Sequence, residues 1–381
     1  MTVVEQAFAP AGAGCEDVDE LCDAAAAHRE YGERNSTLHP QVWSALERSV
    51  LPRMALPEHC GGAPRPVPQI LQAVRKVALA DPAAGWVAAI HAPAGAFLAR
   101  LEAGSARELA GARPVIAGSS LPAGTAEVHG DSVHLSGSWP LVTGAPAMTL
   151  TALAAPVLGP GGATATRWFL LPTQKVEIEE DWDALGLRGS ASFSVSVEAR
   201  VPLAHSIVLT DPPTVDEPVF RFPLYGLMSA CIAEVARATA ERALAAFTAL
   251  AAVTGTRHAR GRLAEQPHVQ SAFADASGRV RAAAALLEST SAAAWESALA
   301  GPVPALERAD LRVACCQMAA AAEYACRQLF EIAGTAAIHR RHGLEGAWRD
   351  AVVISRHALI AARGRQLAGA FELGANPAKE L

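Results

Sequence analysis

Apolar residues recur at helical spacing over the first third of the chain. Within residues 1–114, the segments DVDELCDAAAAHREYGERN and HPQVWSALERSVLPRMALP combine strong helix formers with apolar positions three and four apart. The turn-rich EHCGGAPRP separates them from PQILQAVRKVALADPAAGWVAAIHAPAGAFLARL, which is long enough for two more helices. Within it, Asp81–Pro82 is typical of a helix start. We predict an N-terminal helical domain.

The pattern changes at Pro114 to short β-branched or alternating runs, separated by Gly, Pro and Asp. These runs are VIAGSS, TAEVHGD, SVHLSGSW, MTLTALAAPV, TRWFLLP, KVEIEED and SFSVSVEARVP. They predict about seven strands over residues 115–215, with a hairpin turn at Gly130–Asp131. GPGGAT at 159–164 lacks the GK[ST] ending and following helix of a phosphate loop, so it predicts a hairpin loop.

Helical texture returns in residues 216–381. Three long apolar-periodic segments begin at LYGLMSAC, QPHVQSAF and LERADLRV, and the last ends at Gly334. WRDAVVISRHALIAARG at 348–364 predicts a fourth helix. Four helices of this length indicate a bundle, and small residues on nearly every face indicate burial on several sides. The predicted fold class is α+β and mostly α: N-terminal helices, a central β-barrel or sandwich, and a C-terminal four-helix bundle.

His357 is the one imidazole in the apolar and basic segment 348–364. In a helix, Val353, His357 and Ile360 share one face, because side chains three and four apart are neighbours. Pattern alone leaves two interpretations open. His357 is either a hydrogen-bonded core residue or a side chain that projects into a pocket.

Composition excludes several function classes. With 32 basic and 38 acidic residues the formal net charge is −6, and no basic patch is interleaved with aromatics, which argues against nucleic-acid binding. The seven cysteines contain no CxxC, and no acidic ligand accompanies His339 and His342, so no metal site is predicted. Residues 132–166 carry no Asp, Glu, Lys or Arg, but prolines interrupt them. We expect a soluble, cytoplasmic protein with no signal peptide and no membrane partner.

Three long segments resemble the acyl-CoA dehydrogenase fold, and together they span nearly the whole chain. IAGSSLPAGTAEVHGDSVHLSGSWPLVTGA (116–145) is similar to the flavin-facing β segment. DWDALGLRGSASFSVSVEARVP (181–202) is similar to the LGLRGT/S…VP signature. RQLFEIAGTAAIHRRHGLEGAWRDA (327–351) resembles the helix that bears RDA. The resemblance implies the same order of helices, β domain and helical bundle.

The dehydrogenase base is missing from its usual place. In many acyl-CoA dehydrogenases a glutamate within YEGT, shortly after RDA, removes the α-proton. That place falls at Ala358 here, and no Asp or Glu occurs between Asp350 and Glu372. The sequence therefore predicts that the dehydrogenase base has been lost from this place, although some dehydrogenases carry the base on another helix.

Two-component flavin-dependent monooxygenases of the same fold resemble the chain more closely. They read W-R-D-…-S-H-H, against WRD at 348–350 and Ser355–Arg356–His357 here, and G-R-W-S-F-S-S-G, against residues 137–144. The resemblance implies reduced FMN or FAD from a separate NAD(P)H flavin reductase, O2 as co-substrate and a flavin C4a-hydroperoxide. It also implies a homotetramer and a small aromatic or polycyclic substrate.

The resemblance also assigns catalytic roles. His357 is expected to handle the proton at the peroxide, since an imidazole titrates near neutral pH. Thr143 would donate a hydrogen bond near flavin N5. His91, in GWVAAIHAPAGAFLARL, takes the substrate-side histidine position and could accept a substrate proton; alternatively it fills a helix kink before Pro93.

Four further residues are expected to contact the flavin. Trp139 would pack over the flavin ring, or else be a core tryptophan. Ser120 and Leu121 belong to the flavin-facing segment. Arg257 lies near the end of a long helix, where the family often has a flavin-contacting arginine, although a surface arginine fits the sequence equally well.

These observations leave three hypotheses. The leading one is a flavin-dependent monooxygenase. The second is an acyl-CoA dehydrogenase-type flavoenzyme with a relocated base, which would oxidise an acyl thioester. The third is a helical assembly protein that has kept the fold and lost the flavin.

Overall fold

The computed structural model describes residues 18–158, 164–255 and 261–375. Helices occupy the first part of this range, as predicted. They are α1 Asp19–Asn35, α2 Pro40–Arg48, α3 Val67–Ala80, α4 Pro82–Ala94 and α5 Ala103–Ala110. A 3-10 segment, Gly95–Arg100, extends α4. The joint stretch Pro82–Arg100 is the one described helix long and apolar enough to cross a membrane, and 89% of that window is buried inside the protein.

The predicted helix start at Asp81–Pro82 is confirmed. The Asp81 carboxylate accepts hydrogen bonds from the backbone N–H groups of Ala83 and Ala84, both at 3.3 Å, and Pro82 occupies the first helical position. Asp81 is 4% exposed. Burial, together with the nearby Asp350 carboxylate, raises the pKa of Asp81 to about 7, because the charged form loses its hydration.

We expect the cap at Asp81 to make stability depend on pH. The pKa of Asp81 is higher in the folded chain than in the unfolded chain, so the unfolded chain loses this proton at lower pH. The contribution of Asp81 to the free energy of unfolding therefore falls as pH rises from 3.8 to about 7. Asp81→Asn keeps an acceptor and buries no charge. The free energy of unfolding of this variant should be higher than that of the wild type by roughly 2 kcal/mol near pH 8, and the difference should shrink towards pH 4. Calorimetry across this range tests the prediction. A difference independent of pH, or matched by the exposed control Asp131→Asn, would contradict it.

The central β domain consists of two four-stranded sheets. One has the order β1-β4-β5-β8 and the other β2-β3-β7-β6. The strands are β1 Ile116–Ser119, β2 Thr125–His129, β3 Ser132–Val142, β4 Leu150–Leu158, β5 Thr164–Pro172, β6 Glu177–Glu179, β7 Phe193–Pro202 and β8 Ser206–Ile207. The first seven match the predicted runs, and the two-residue β8 was not predicted. The hairpin turn at Gly130–Asp131 is confirmed, since His129 pairs with Ser132. The predicted loop at 159–164 falls on residues 159–163, outside the described range.

The C-terminal region is helical, as predicted. Its helices are α6 Pro218–Arg221, α7 Leu224–Val253, α8 Pro267–Ala300, α9 Ala305–Ile332, α10 Leu344–Ser355 and α11 Ala362–Glu372. The three long segments α7, α8 and α9 confirm the predicted bounds closely.

The prediction of one helix over residues 348–364 is wrong. Helix α10 ends at Ser355, and a turn over residues 356–361 separates it from α11. Within this turn the backbone N–H of Leu359 donates to Nδ1 of His357 at 3.3 Å. A side chain that takes up a nearby backbone donor competes with helical hydrogen bonding. His357 therefore sits on a turn and not on a helix face.

Candidate functional site

A cavity of about 340 Å³ lies where the three regions of the chain meet. Helix α4, strand β1, the end of β3, helix α7 and the turn 356–361 all contribute to its wall. Most of the wall is apolar, with large side chains at Trp86, Phe97, Trp168, Trp182, Met228 and Leu359. The volume is in the range of small-molecule sites, which are mainly apolar with a few placed polar groups.

The backbone is strained around this cavity. Leu141, Leu187 and Ala191 have φ angles of 64°, 50° and 45°, which side chains with a Cβ rarely adopt. Leu141 lies in a register irregularity between β3 and β7, and both it and Leu187 line the cavity. Strained residues of this kind cluster at functional sites, where the surrounding structure holds them in place.

Three hydroxyl groups and an indole form a hydrogen-bonded row beside the cavity. Nε1 of Trp86 donates to Oγ1 of Thr143 at 3.2 Å. Oγ of Ser192 lies 2.9 Å from Oγ1 of Thr143 and 2.9 Å from Oγ of Ser190. When Ser192 donates to Thr143, both acceptor positions of Thr143 are filled and its own O–H is free to donate into the cavity. Thr143 lines the cavity, as its predicted role requires.

The imidazole of His357 faces the same cavity. Its Nδ1 accepts the Leu359 N–H, so the neutral ring carries its proton on Nε2. The Trp86 ring meets it edge-on, with centroids 5.4 Å apart. Burial, and then the charge of Arg312, lower the pKa of His357 to about 4. At neutral pH the ring is therefore an uncharged hydrogen-bond donor.

His91 does not line the described cavity, which contradicts the predicted substrate-side role. The side chain is fully buried, and its Nε2 lies 3.3 Å from the carbonyl oxygen of Thr143. Ile90 and Ala94, on the same helix, line the cavity. Residues four apart share a helix face, and His91 lies on a different face. Burial lowers the pKa of His91 to about 4. The residue supports the backbone behind Thr143.

We expect His91→Ala to weaken the fold and to leave substrate affinity nearly unchanged. Removing a fully buried ring leaves a void that the core fills only in part, which should cost roughly 2–3 kcal/mol of unfolding free energy. The KM for the substrate should change less than about 3-fold, because the ring is outside the cavity. Chemical denaturation and steady-state kinetics measure the two quantities. A large rise in KM with unchanged stability would restore His91 to the substrate site.

Trp139 is a core residue and does not line the described cavity, while its contact with the flavin ring stays a prediction. It is fully buried in the β-domain core, and its Nε1 donates to the carbonyl of Ala154 at 2.7 Å. A Cβ on Gly124 would stand 2.6 Å from its ring, so a glycine is needed there. The aromatic walls of the cavity are Trp86, Trp168 and Trp182, which the sequence analysis did not single out.

The remaining predicted flavin contacts differ in outcome. Ser120 and Leu121 line the cavity at its open side, where Leu121 is 44% exposed. Arg257 lies outside the described residues. Among the residues that the structure covers, no group of three or more His, Cys, Asp or Glu side chains could hold a metal ion.

Two of the segments that carry the family resemblance hold each other in place. The Asp350 carboxylate accepts the N–H of Leu187 at 2.6 Å, and Nη1 of Arg349 donates to the carbonyl of Leu185 at 2.7 Å. Arg349 also pairs with Glu33 at 2.7 Å. These contacts fix the strained segment that leads to Ser190 and Ser192. Their role is to position the cavity wall.

The side chains present fit a bound flavin. The cavity offers aromatic walls, a hydroxyl donor at Thr143 and an imidazole donor at His357. The buried Ser119 and the exposed Ser120 add polar groups to the wall. A planar ring system with hydrogen-bonding edges has the chemistry that this arrangement accommodates.

Known proteins with this sequence pattern and fold are flavoenzymes. The family model "Acyl-CoA dehydrogenase, C-terminal domain" matches residues 230–362, which run from α7 through the turn that carries His357. An indole-3-acetate monooxygenase from Acinetobacter baumannii is 26% identical over 369 residues, covering 95% of each chain. The chain thus carries an acyl-CoA dehydrogenase C-terminal domain, and its relatives are flavin-dependent monooxygenases.

Solved structures share the fold over more than nine-tenths of the chain. XiaF from a Streptomyces species, in complex with FADH2 and glycerol, has a TM-score of 0.87 at 22% identity and covers 95% of both chains. TdsC from a Paenibacillus species, in complex with FMN and indole, has a TM-score of 0.73 at 20% identity, over 93% of this chain and 95% of TdsC. The predicted α+β, mostly helical fold class is confirmed. The monooxygenase interpretation is favoured over the acyl-CoA dehydrogenase alternative.

Proposed function

We propose that this protein is a flavin-dependent monooxygenase that inserts one atom of O2 into a small aromatic or polycyclic substrate, with reduced flavin bound in the 340 Å³ cavity. One observation carries the proposal. Thr143 and His357 face the same cavity, and no Asp or Glu is among the described residues that line it. Removal of an α-proton from an acyl thioester needs a base at the substrate, and neither side chain supplies a carboxylate there.

When bound, the reduced flavin supplies two electrons and reacts with O2. In balance, substrate, O2 and reduced flavin give hydroxylated substrate, water and oxidised flavin. The protein's own part is to hold hydrogen-bond donors in place and to exclude water. Ser120 and Leu121 would hold the flavin from the open side, with Thr143 donating near N5.

His357 would donate a hydrogen bond from Nε2–H to oxygen while the ring stays uncharged. The Leu359 N–H holds Nδ1 as an acceptor, so the donor atom and its direction are fixed before oxygen arrives. Its pKa of about 4 keeps the ring neutral throughout the physiological range. The apolar wall formed by Trp86, Trp168 and Leu359 excludes water that would divert oxygen to hydrogen peroxide.

The aromatic substrate class is supported by the wall of the cavity and by the relatives. Aromatic and aliphatic side chains predominate in the lining. The similar proteins are named for indole-3-acetate or were solved with indole. We further propose a separate NAD(P)H flavin reductase as partner, a homotetramer and a cytoplasmic location. Because the related structures hold FADH2 in one case and FMN in the other, both reduced flavins belong in the test.

The test is turnover with a generic flavin reductase, NADH, and either FMN or FAD. Indole, indole-3-acetate and an uncharged polycyclic arene serve as probes under isotopically labelled dioxygen. We expect a product heavier by one labelled oxygen atom, formed with one of the flavins. Failure to label any probe, combined with bleaching of bound FAD by an acyl-CoA in the absence of reductase, would establish the dehydrogenase reaction instead.

A further inference from the structure

Arg312, on α9, is a buried cation without an acidic partner. The residue is 3% exposed, and no carboxylate in the described part of the chain lies within ion-pair distance. The two other buried arginines, Arg75 and Arg237, both bind Glu241. Burying a charge without an opposite charge costs free energy. The hydrogen bonds that Arg312 makes in this position therefore need to be examined for a function.

The guanidinium of Arg312 packs beneath the turn that carries His357. Its Nη1 donates to Oγ of Ser229 and to the carbonyl of Tyr225, the latter at 3.3 Å. Oγ of Ser229 donates to the carbonyl of Tyr225 at 2.6 Å and packs 3.5 Å from the carbonyl of Leu359, at the centre of the turn. A Cβ built on Gly364, just after the turn, would stand 3.7 Å from Nη2 of Arg312 and 3.3 Å from the Leu359 carbonyl.

We propose that Arg312 is a positioning residue for His357, acting through Ser229 on the turn over residues 356–361. Leu359 connects the two ends of this arrangement. Its carbonyl faces Ser229 on the Arg312 side, and its N–H donates to Nδ1 of His357 on the cavity side. Fixing Leu359 therefore fixes the tautomer and direction of the imidazole. The inference concerns this chain's own residues and rests on the proposed function only for its catalytic consequence.

The charge of Arg312 acts in the same direction. A nearby cation disfavours protonation of an imidazole, and Arg312 contributes to the lowered pKa of His357 after burial. Tyr225 on α7 and Arg356 on the turn are the ionisable groups that line this end of the cavity with His357. Cys315 and Cys316 on α9 and Arg363 on α11 lie near Arg312 as well. Arg356 is paired with Glu323 at 2.7 Å, which offsets its charge. Arg312 thus adds to burial in favouring the neutral form of His357.

Hydrogen–deuterium exchange on the flavin-free oxygenase tests the proposal. Backbone exchange in a peptide over residues 353–364 reports the turn, and exchange at the imidazole C2 across pH reports the titration midpoint of His357. In Arg312→Met we expect turn exchange to accelerate about 10-fold and the midpoint to rise by about one pH unit. Ser229→Ala should accelerate the turn with little effect on the midpoint. Arg312→Lys should restore the midpoint and only part of the protection.

Arg308→Met is the matched control. Arg308 lies one turn earlier on α9, is half-buried, and also has an unpaired Nε, but makes no described contact with Ser229 or the turn. Both readouts should stay at wild-type values in this variant. Equal behaviour of Arg308→Met and Arg312→Met, or unchanged exchange in Ser229→Ala and Arg312→Met, overturns the proposal. If Met at 312 prevents folding, Ser229→Ala and Arg312→Lys decide it. Because no flavin or substrate is used, this result is separate from the outcome of the turnover test.

Discussion

His357→Ala should lower the rate of product formation roughly 100-fold while reduced flavin still binds, because removing one preorganised hydrogen-bond donor typically costs at least that factor. The variant loses the Nε2–H donor, and the space left by the ring admits water beside Trp86. Electrons from reduced flavin should then appear mainly as hydrogen peroxide. Product and peroxide measured together, per reduced flavin consumed, give the fraction of coupled turnover.

His339→Ala is the matched control, since His339 is an exposed histidine far from the cavity lining. It should retain wild-type coupling. The wild-type coupling should also be flat between about pH 6 and 9, because His357 is already neutral above its pKa of about 4. Full coupling in His357→Ala, or a coupling profile that follows an ionisation near pH 6.5, would remove His357 from the mechanism.

Thr143→Val should reduce coupled turnover about 10-fold and also weaken the fold. Valine matches threonine in shape but removes the hydroxyl that accepts from Trp86 and contacts Ser192. The buried indole N–H of Trp86 is left without an acceptor, which should cost about 1–3 kcal/mol of unfolding free energy. Stopped-flow reoxidation and chemical denaturation measure the two effects.

Thr143→Ser separates the hydroxyl from the methyl group. Serine retains the oxygen atom, so both stability and coupling should stay close to those of the wild type. If Thr143→Val couples as well as Thr143→Ser, the hydroxyl has no role at the flavin and Thr143 belongs only to the wall of the cavity.

The sequence predicted elements well wherever local rules determine them. The Asp81 cap, the Gly130–Asp131 hairpin and the long helices α7 to α9 follow from capping, turn chemistry and apolar periodicity. The helix over 348–364 failed because a tertiary feature decides it. His357 bonds to the N–H of Leu359 within the cavity wall, and no periodicity within the segment reports that contact.

The candidate site residues also differ in whether local sequence rules or tertiary packing determine their position. Thr143 and His357 were found because their places in the family motifs also face the cavity. His91 and Trp139 fit those motifs equally well, but their side chains turn to the core. For His91 the helical spacing is informative, because Trp86, Ile90 and Ala94 are spaced by four residues and share one helix face. His91 lies off that face. For Trp139 only the packing of the two sheets could decide.

The most direct test of the central claim is a single-turnover experiment. Reduced flavin is bound to the protein without oxygen, O2 is added, and the visible absorbance of oxidised flavin is followed. We predict that oxidised flavin appears after a delay and that a transient absorbing species precedes it. In His357→Ala the delay should be lost. Immediate formation of oxidised flavin at the rate of free flavin, with equal behaviour of wild type and His357→Ala, would contradict it.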